Sequence, residues 1–238
     1  MLHSSEYLED QSMLKVGSIC SILAGILFAV SGIVFIIFLL GRFDWNSIAS
    51  ITQFFIDRPL ASKAWLVVNW GASIASLLAI AGVLAITDVM RSTNSGLVRW
   101  LSTLAIIGYV IIAVTNTADY YQINRLASGY NQLDAAVKDA VDLIGIASLD
   151  ASLNLRFVTL SPWFFSIGYL TFKNNRFPIS IGYLGVIAGI GGILTFITSF
   201  LGDDQIILIA AVIAIVIHPI WLVMTGLHLG RLGRDKTV

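Results

Sequence analysis

The chain has 238 residues and carries 14 basic and 14 acidic side chains, so its formal net charge is zero. Hydrophobic residues make up 57% and charged residues 12%, against about 45–50% and about 25% in a soluble domain. A soluble enzyme, a disordered chain and a nucleic-acid binder are excluded; the expectation is an all-α polytopic membrane bundle embedded in a lipid bilayer as one domain.

A spanning helix needs about 20 mostly apolar residues. Six stretches meet or approach this: Val16–Leu40, Ala64–Thr87, Leu97–Asn116, Leu155–Phe172, Ile179–Leu201 and Gln205–Leu229. The first is too long for a signal-peptide core of about 7–15 residues and has no small-x-small cleavage site after it, so it reads as a true span. It contains the single cysteine, Cys20, which reads as a small buried hydrophobe. One cysteine permits no intrachain disulfide and no thiolate metal cluster.

The first outer connection, Arg42–Lys63, places Ile48, Ile51, Phe54 and Phe55 on one helical face ahead of Pro59. This predicts an amphipathic helix lying on the membrane surface. The second, Thr117–Asn154, carries an apolar stripe of Leu133, Val137, Ala140, Val141 and Ile144. Asp134–Lys138 and Lys138–Asp142 have the i,i+4 spacing of ion pairs. An outer amphipathic helix of about four turns is expected, packed on its own bundle or on a partner. The fourth span follows it, begins with Arg156 at its edge and contains Pro162. The last two spans are joined by Gly202, Asp203 and Asp204 as a tight hairpin.

Lysine and arginine set the orientation. Lys15, Arg91, Arg99, Lys173, Arg176, Arg231, Arg234 and Lys236 share the side of the termini, in short loops. Arg42, Arg58, Lys63, Arg125, Lys138 and Arg156 are spread over the longer connections of the other side. Both termini are therefore expected in the cytoplasm, and the chain in the cell inner (plasma) membrane.

Small residues recur where helices must approach closely. Gly17, Ser21, Gly25 and Ala29 form a row in the first span. Gly185 and Gly189 form a GxxxG in the fifth span, and Gly226 and Gly230 another in the sixth. They read as internal seams, with a homo-oligomer face as the alternative.

Several chemistries are missing. No lysine lies inside a span for a Schiff base, and no span carries an arginine ladder. There is no HExxH, no GxSxG around Ser31 and no GxxxxGK[ST]. The aspartate of Leu201-Gly202-Asp203 has no intramembrane partner. No catalytic residue, metal ligand or cofactor is assigned, and no nucleic-acid partner.

His218 is the one ionisable residue expected near a midplane. Pro219 beside it removes a backbone donor and frees a carbonyl near Ile215. Intramembrane ionisable groups are candidate functional sites. Three readings stand: a neutral histidine bonded to a neighbouring helix, a proton, ion or substrate site, and a haem ligand. Haem would need a second ligand, and His228 on the same helix cannot clamp one iron from the opposite face. A second polar set gathers at the outer end: Asn69 and Trp70, then Thr115, Asn116 and Asp119, then Arg156, Ser161 and Trp163. Asp119 and Arg156 sit at similar depth and could pair, and the set could form an outward pocket leading toward His218. The alternative is an interfacial aromatic belt of Trp65, Trp70, Tyr120, Tyr121 and Trp163 with ordinary capping polars.

Leu14–Phe35 reads LKVGSICSILAGILFAVSGIVF, and Phe164–Gly189 reads FFSIGYLTFKNNRFPISIGYLGVIAG. With the long outer loop and its DAAVKDAV helix between them, these stretches resemble a family of uncharacterised bacterial multi-pass membrane proteins that is classed as a domain of unknown function. The resemblance implies a helical bundle in a bacterial inner membrane and implies no activity. The leading expectation is a non-catalytic membrane protein, an accessory or scaffolding subunit of a larger complex whose partners are lipid and other membrane subunits. The alternatives are a small-solute or ion transporter using His218, and a haem-binding redox subunit.

Overall fold

The computed structural model describes residues 2–44, 47–174, 176–199 and 204–235, with side chains of 2–10, 59, 150, 204–214 and 235 left aside. Seven α-helices account for nearly all of it: α1 (Leu2–Phe38), α2 (Ile48–Asp57), α3 (Pro59–Met90), α4 (Ser95–Gly129), α5 (Ala135–Thr171), α6 (Ile179–Ser199) and α7 (Asp204–Asp235). No strand occurs among the described residues. All but α2 are long and apolar enough to cross a membrane. The turn residues Leu201, Gly202 and Asp203 lie outside the described residues, as does Lys236.

Local sequence sets the helix starts. Ser47, Asn94 and Asp134 accept hydrogen bonds from Ser50 N (3.1 Å), Leu97 N (3.2 Å) and Val137 N (2.9 Å), capping α2, α4 and α5. Pro59 occupies the first position of α3, where its missing N–H costs nothing. Gly41, at φ +68°, turns the chain out of α1.

The six long helices form a closed ring in chain order: α1, α3, α4, α5, α6, α7, and back to α1. Small residues make the seams. A Cβ added at Gly17 would collide with Ala85 Cβ, and one at Gly82 with Ser21 Oγ, so Gly17 and Ser21 face α3. Gly25 instead faces α7, against the Pro219 carbonyl. The row in α1 therefore serves two neighbours. Gly226 and Gly230 meet Ser18 and Ile22 of α1, and Ser18 Oγ donates to the Gly226 carbonyl at 2.7 Å. Gly168 of α5 lies against Gly182 and Gly185 of α6, and Gly189 against Phe165.

Three expectations change. The outer amphipathic helix and the fourth span are one continuous helix, α5, of 37 residues. At 1.5 Å per residue it is about 55 Å long, against a hydrocarbon thickness of about 30 Å. Its first four turns and the last three turns of α4 lie at the end opposite the termini, where α2 packs against both. Asp150, Asn154 and Arg156 interrupt the hydropathy there without interrupting the helix. Pro162 sits inside α5, and the helix continues through it.

The second change concerns α2. Its apolar face does not lie on a membrane surface. Ile48, Ile51, Phe54 and Phe55 are buried in a second core with Leu39, Trp65 and Ile123. Asp142 of α5 fastens the start of α2 by accepting from Ala49 N (2.8 Å) and Ser47 Oγ (3.3 Å). Asp134 is spent on capping, and Lys138 lies 5.1 Å from the Tyr130 ring centroid. The expected i,i+4 ion pairs of this helix are absent among the described residues.

Candidate functional site

At mid-height the ring is filled by aromatic side chains. Tyr109, Trp163 and Trp221 are fully buried. Trp163 and Trp221 stack edge to face at 5.3 Å, and Phe164 meets both at 5.0 Å. Edge-to-face pairs place positive ring edges on negative faces. Their polar atoms are satisfied: Trp221 Nε1 donates to the Ile181 carbonyl (3.0 Å) and Trp163 Nε1 to Ser102 Oγ (3.3 Å). Ser102 in turn accepts from Thr87 Oγ1 at 2.7 Å.

His218 enters this layer from α7. Its Nε2 lies 2.8 Å from Tyr109 Oη. Phe28 and Phe164 close over the imidazole, with ring centroids 4.7 and 4.9 Å away. Either tautomer completes the bond, because a phenol both donates and accepts. Gly25 lets the backbone of α1 meet α7 closely here, against the Pro219 carbonyl. Tyr109 carried no signal in a hydropathy reading, where tyrosine counts as apolar. A lone tyrosine in the middle of LAIIGYVIIA, far from either interface, was the available clue.

The second polar set lies about 15 Å further along α4, ten residues from Tyr109. Arg156 Nη2 pairs with Asp119 Oδ2 at 3.3 Å and also donates to Thr115 Oγ1. Both charged side chains are mostly enclosed, at 19% and 14% exposure. Arg156 Nε is buried with no partner among the described residues. Asn69 folds back on its own helix, donating to the Trp65 carbonyl at 2.8 Å. Asn116 is buried on the Tyr109 face of α4.

The predicted residues therefore fall into two groups. Asp119 and Arg156 come together with Thr115. Trp163 does not join them; it belongs to the central layer with His218. Ile112, Ala113 and Leu160, all buried, stand between the groups. The proposed aromatic belt is likewise not one: Trp163 and Trp65 are core residues, and only Trp70 and Tyr121 keep sizeable exposure. Trp163 is buried because the ring's centre needs large side chains to fill it, whereas Trp65 fills the second core, with its Nε1 unpartnered among the described residues.

His228 is apart from both groups, at the terminal end. Its Nε2 lies 2.5 Å from the Arg176 carbonyl, and its ring 5.2 Å from Phe177. His218 and His228 thus make separate bonds to separate partners. No group of three or more His, Cys, Asp or Glu side chains gathers among the described residues.

The family described as domain of unknown function DUF4386 matches residues 22–226. The chain belongs to that family. The matched region of this DUF4386 protein contains both polar groups, four of the six long helices whole, and parts of α1 and α7. No curated protein and no solved structure matches the chain. The family description names no activity, so function is argued from geometry.

Proposed function

We propose that this is a non-catalytic integral membrane protein of the inner (plasma) membrane, both termini cytoplasmic, that acts as an accessory or scaffolding subunit of a membrane complex. The observation that carries the proposal is the first half of α5. Leu143 and Ile144 are 75% and 69% exposed, beside exposed Val137, Ala140 and Ala147. By length this segment lies outside the hydrocarbon layer, where exposed apolar patches mark interaction surfaces. The exposed residues of α4 at the same height, Gln122, Arg125 and Ser128, are polar and suit water.

The exposed positions Val137, Ile144, Ala151 and Val158 repeat every seven residues along α5. A seven-residue apolar repeat presents one seam to one partner helix. The partner this implies is a helix of another membrane subunit that leaves the bilayer alongside α5. The packed aromatic centre supports the same reading, since it spends His218 on holding two helices together. Native mass spectrometry of protein gently extracted from its own membrane tests it. Co-purifying polypeptides support the proposal; a chain that flies alone or only with copies of itself and lipid removes it.

One observation favours transport as a second reading. A Tyr–His hydrogen bond in the middle of a helical ring is an unusual expense of polar groups at that depth. Flux in liposomes separates the readings: a transporter moves solute as wild type and loses the activity as His218→Ala.

A further inference from the structure

We infer that the protein holds an anionic glycerophospholipid at the end opposite the termini, in a groove between α1 and α3. This is independent of the subunit reading. A hollow of about 430 Å³ is walled by Ile37, Phe38, Phe54 and Leu60 and edged by Arg42 and Arg58. A second hollow of about 190 Å³ shares Phe38 and Leu60 with it and continues along the same helices to Val34 and Val67, with Lys63 on its rim. Together they form one groove with three cations at its mouth and hydrocarbon along its length.

The cations are placed by the backbone. Arg42 follows the left-handed Gly41 that ends α1. Arg58 lies between α2 and Pro59, at φ −133° and ψ 83°, with its guanidinium carbon 5.0 Å above the Phe54 ring. Lys63 is on the second turn of α3. None of the three forms an ion pair among the described residues. The neighbouring Asp57 is engaged by Gln53 Nε2 at 2.8 Å. Two unpaired arginines edging one hollow, with Lys63 on the adjoining one, suit an anionic phosphate, and arginine fits phosphate because its planar fork matches two oxygens.

The apolar part identifies the rest of the ligand. Leu60, Ile37, Phe38 and Val67 are 64%, 55%, 42% and 41% exposed. They descend from the cations toward mid-height along helices long enough to cross the bilayer. A ligand with phosphate at the headgroup level and chains running inward matches this order, and a soluble phosphate ester does not use the lower half. Basic pockets beside membrane helices select anionic headgroups in this way.

The test uses the full-length protein in mixed micelles of dioleoyl phosphatidylglycerol and dioleoyl phosphatidylcholine, with retained lipid read by native mass spectrometry. Each nearby cation favours an anionic lipid by roughly five-fold, so wild type should retain phosphatidylglycerol over phosphatidylcholine by about ten-fold or more. R42Q/R58Q should cut that preference severalfold, toward the roughly five-fold left to Lys63, while R231Q/R234Q at the other end should keep it. Leu60→Trp, which fills the groove without changing charge, should lower phosphatidylglycerol retention too. A preference missing from wild type, or intact in R42Q/R58Q, overturns the proposal. So does displacement of the lipid by equimolar glycerol phosphate, which has no chains.

Discussion

Tyr109 and His218 bond at 2.8 Å although their helices, α4 and α7, stand opposite one another in the ring. The pair ties across the diameter what the seams hold only around the circumference. Interhelical side-chain hydrogen bonds in membranes are worth about 0.6 kcal/mol and at most about 1.7. Tyr109→Phe should cost that much, and adding His218→Phe should cost little more. A double-mutant cycle in detergent or bicelles measures the coupling; additive losses would mean that the two groups stabilise the ring independently.

Gly168 should tolerate no side chain. A Cβ there would lie 2.6 Å from Val186 N and 2.7 Å from the Gly182 carbonyl, both backbone atoms. Backbone cannot rotate aside, so α5 and α6 must separate. Gly168→Ala is expected to destabilise by about 1–3 kcal/mol, the usual range for overpacking. Gly96, in the first turn of α4, meets nothing within 4 Å. Gly96→Ala should be neutral or slightly stabilising through the unfolded state. Melting temperatures of the two variants check the contrast.

The Asp119–Arg156 pair predicts a non-additive series. Arg156→Met leaves a mostly enclosed carboxylate without its cation, which costs roughly 3 kcal/mol or more. Replacing Asp119 by Asn at the same time removes the stranded charge. The double variant should therefore be more stable than R156M alone. The reverse order in a chemical unfolding series would show that the pair does not act as a unit.

Leu143→Lys with Ile144→Lys separates folding from association. Both side chains face outward from α5, so the double variant should keep wild-type stability to within about 0.5 kcal/mol per substitution, as exposed substitutions usually do. Partner subunits should be lost from the native mass spectrum. Retention of the same partners would move the interface elsewhere.

Much of the fold was legible because a twenty-residue apolar run has few other uses. Each of the six runs lies within one of the long helices or overlaps its end. What was hidden had physical causes. Periodicity showed which face of α2 is apolar but not whether lipid or Leu39, Trp65 and Ile123 would cover it. Hydropathy broke α5 at Asp150, Asn154 and Arg156, yet an α-helix tolerates polar residues wherever water or a partner reaches them. The ends of the Asp119–Arg156 pair could be matched by depth, because depth follows from counting residues along a span. Tyr109 could not be matched to His218, because nothing local states which helices face each other across a ring.

The ring closes between the first long helix and the last. Ser18, Ile22 and Gly25 of α1 find their places only against Pro219, Val223 and Gly226 of α7. During synthesis the ribosome delivers these two hundred residues apart. For most of translation α1 must therefore wait in the membrane with one flank open, either against lipid or in the keeping of the insertion machinery. Assembly is in this sense governed by its final step: a nascent chain stalled before α7 is an open crescent, and quality control has until that moment to tell it from a finished circle.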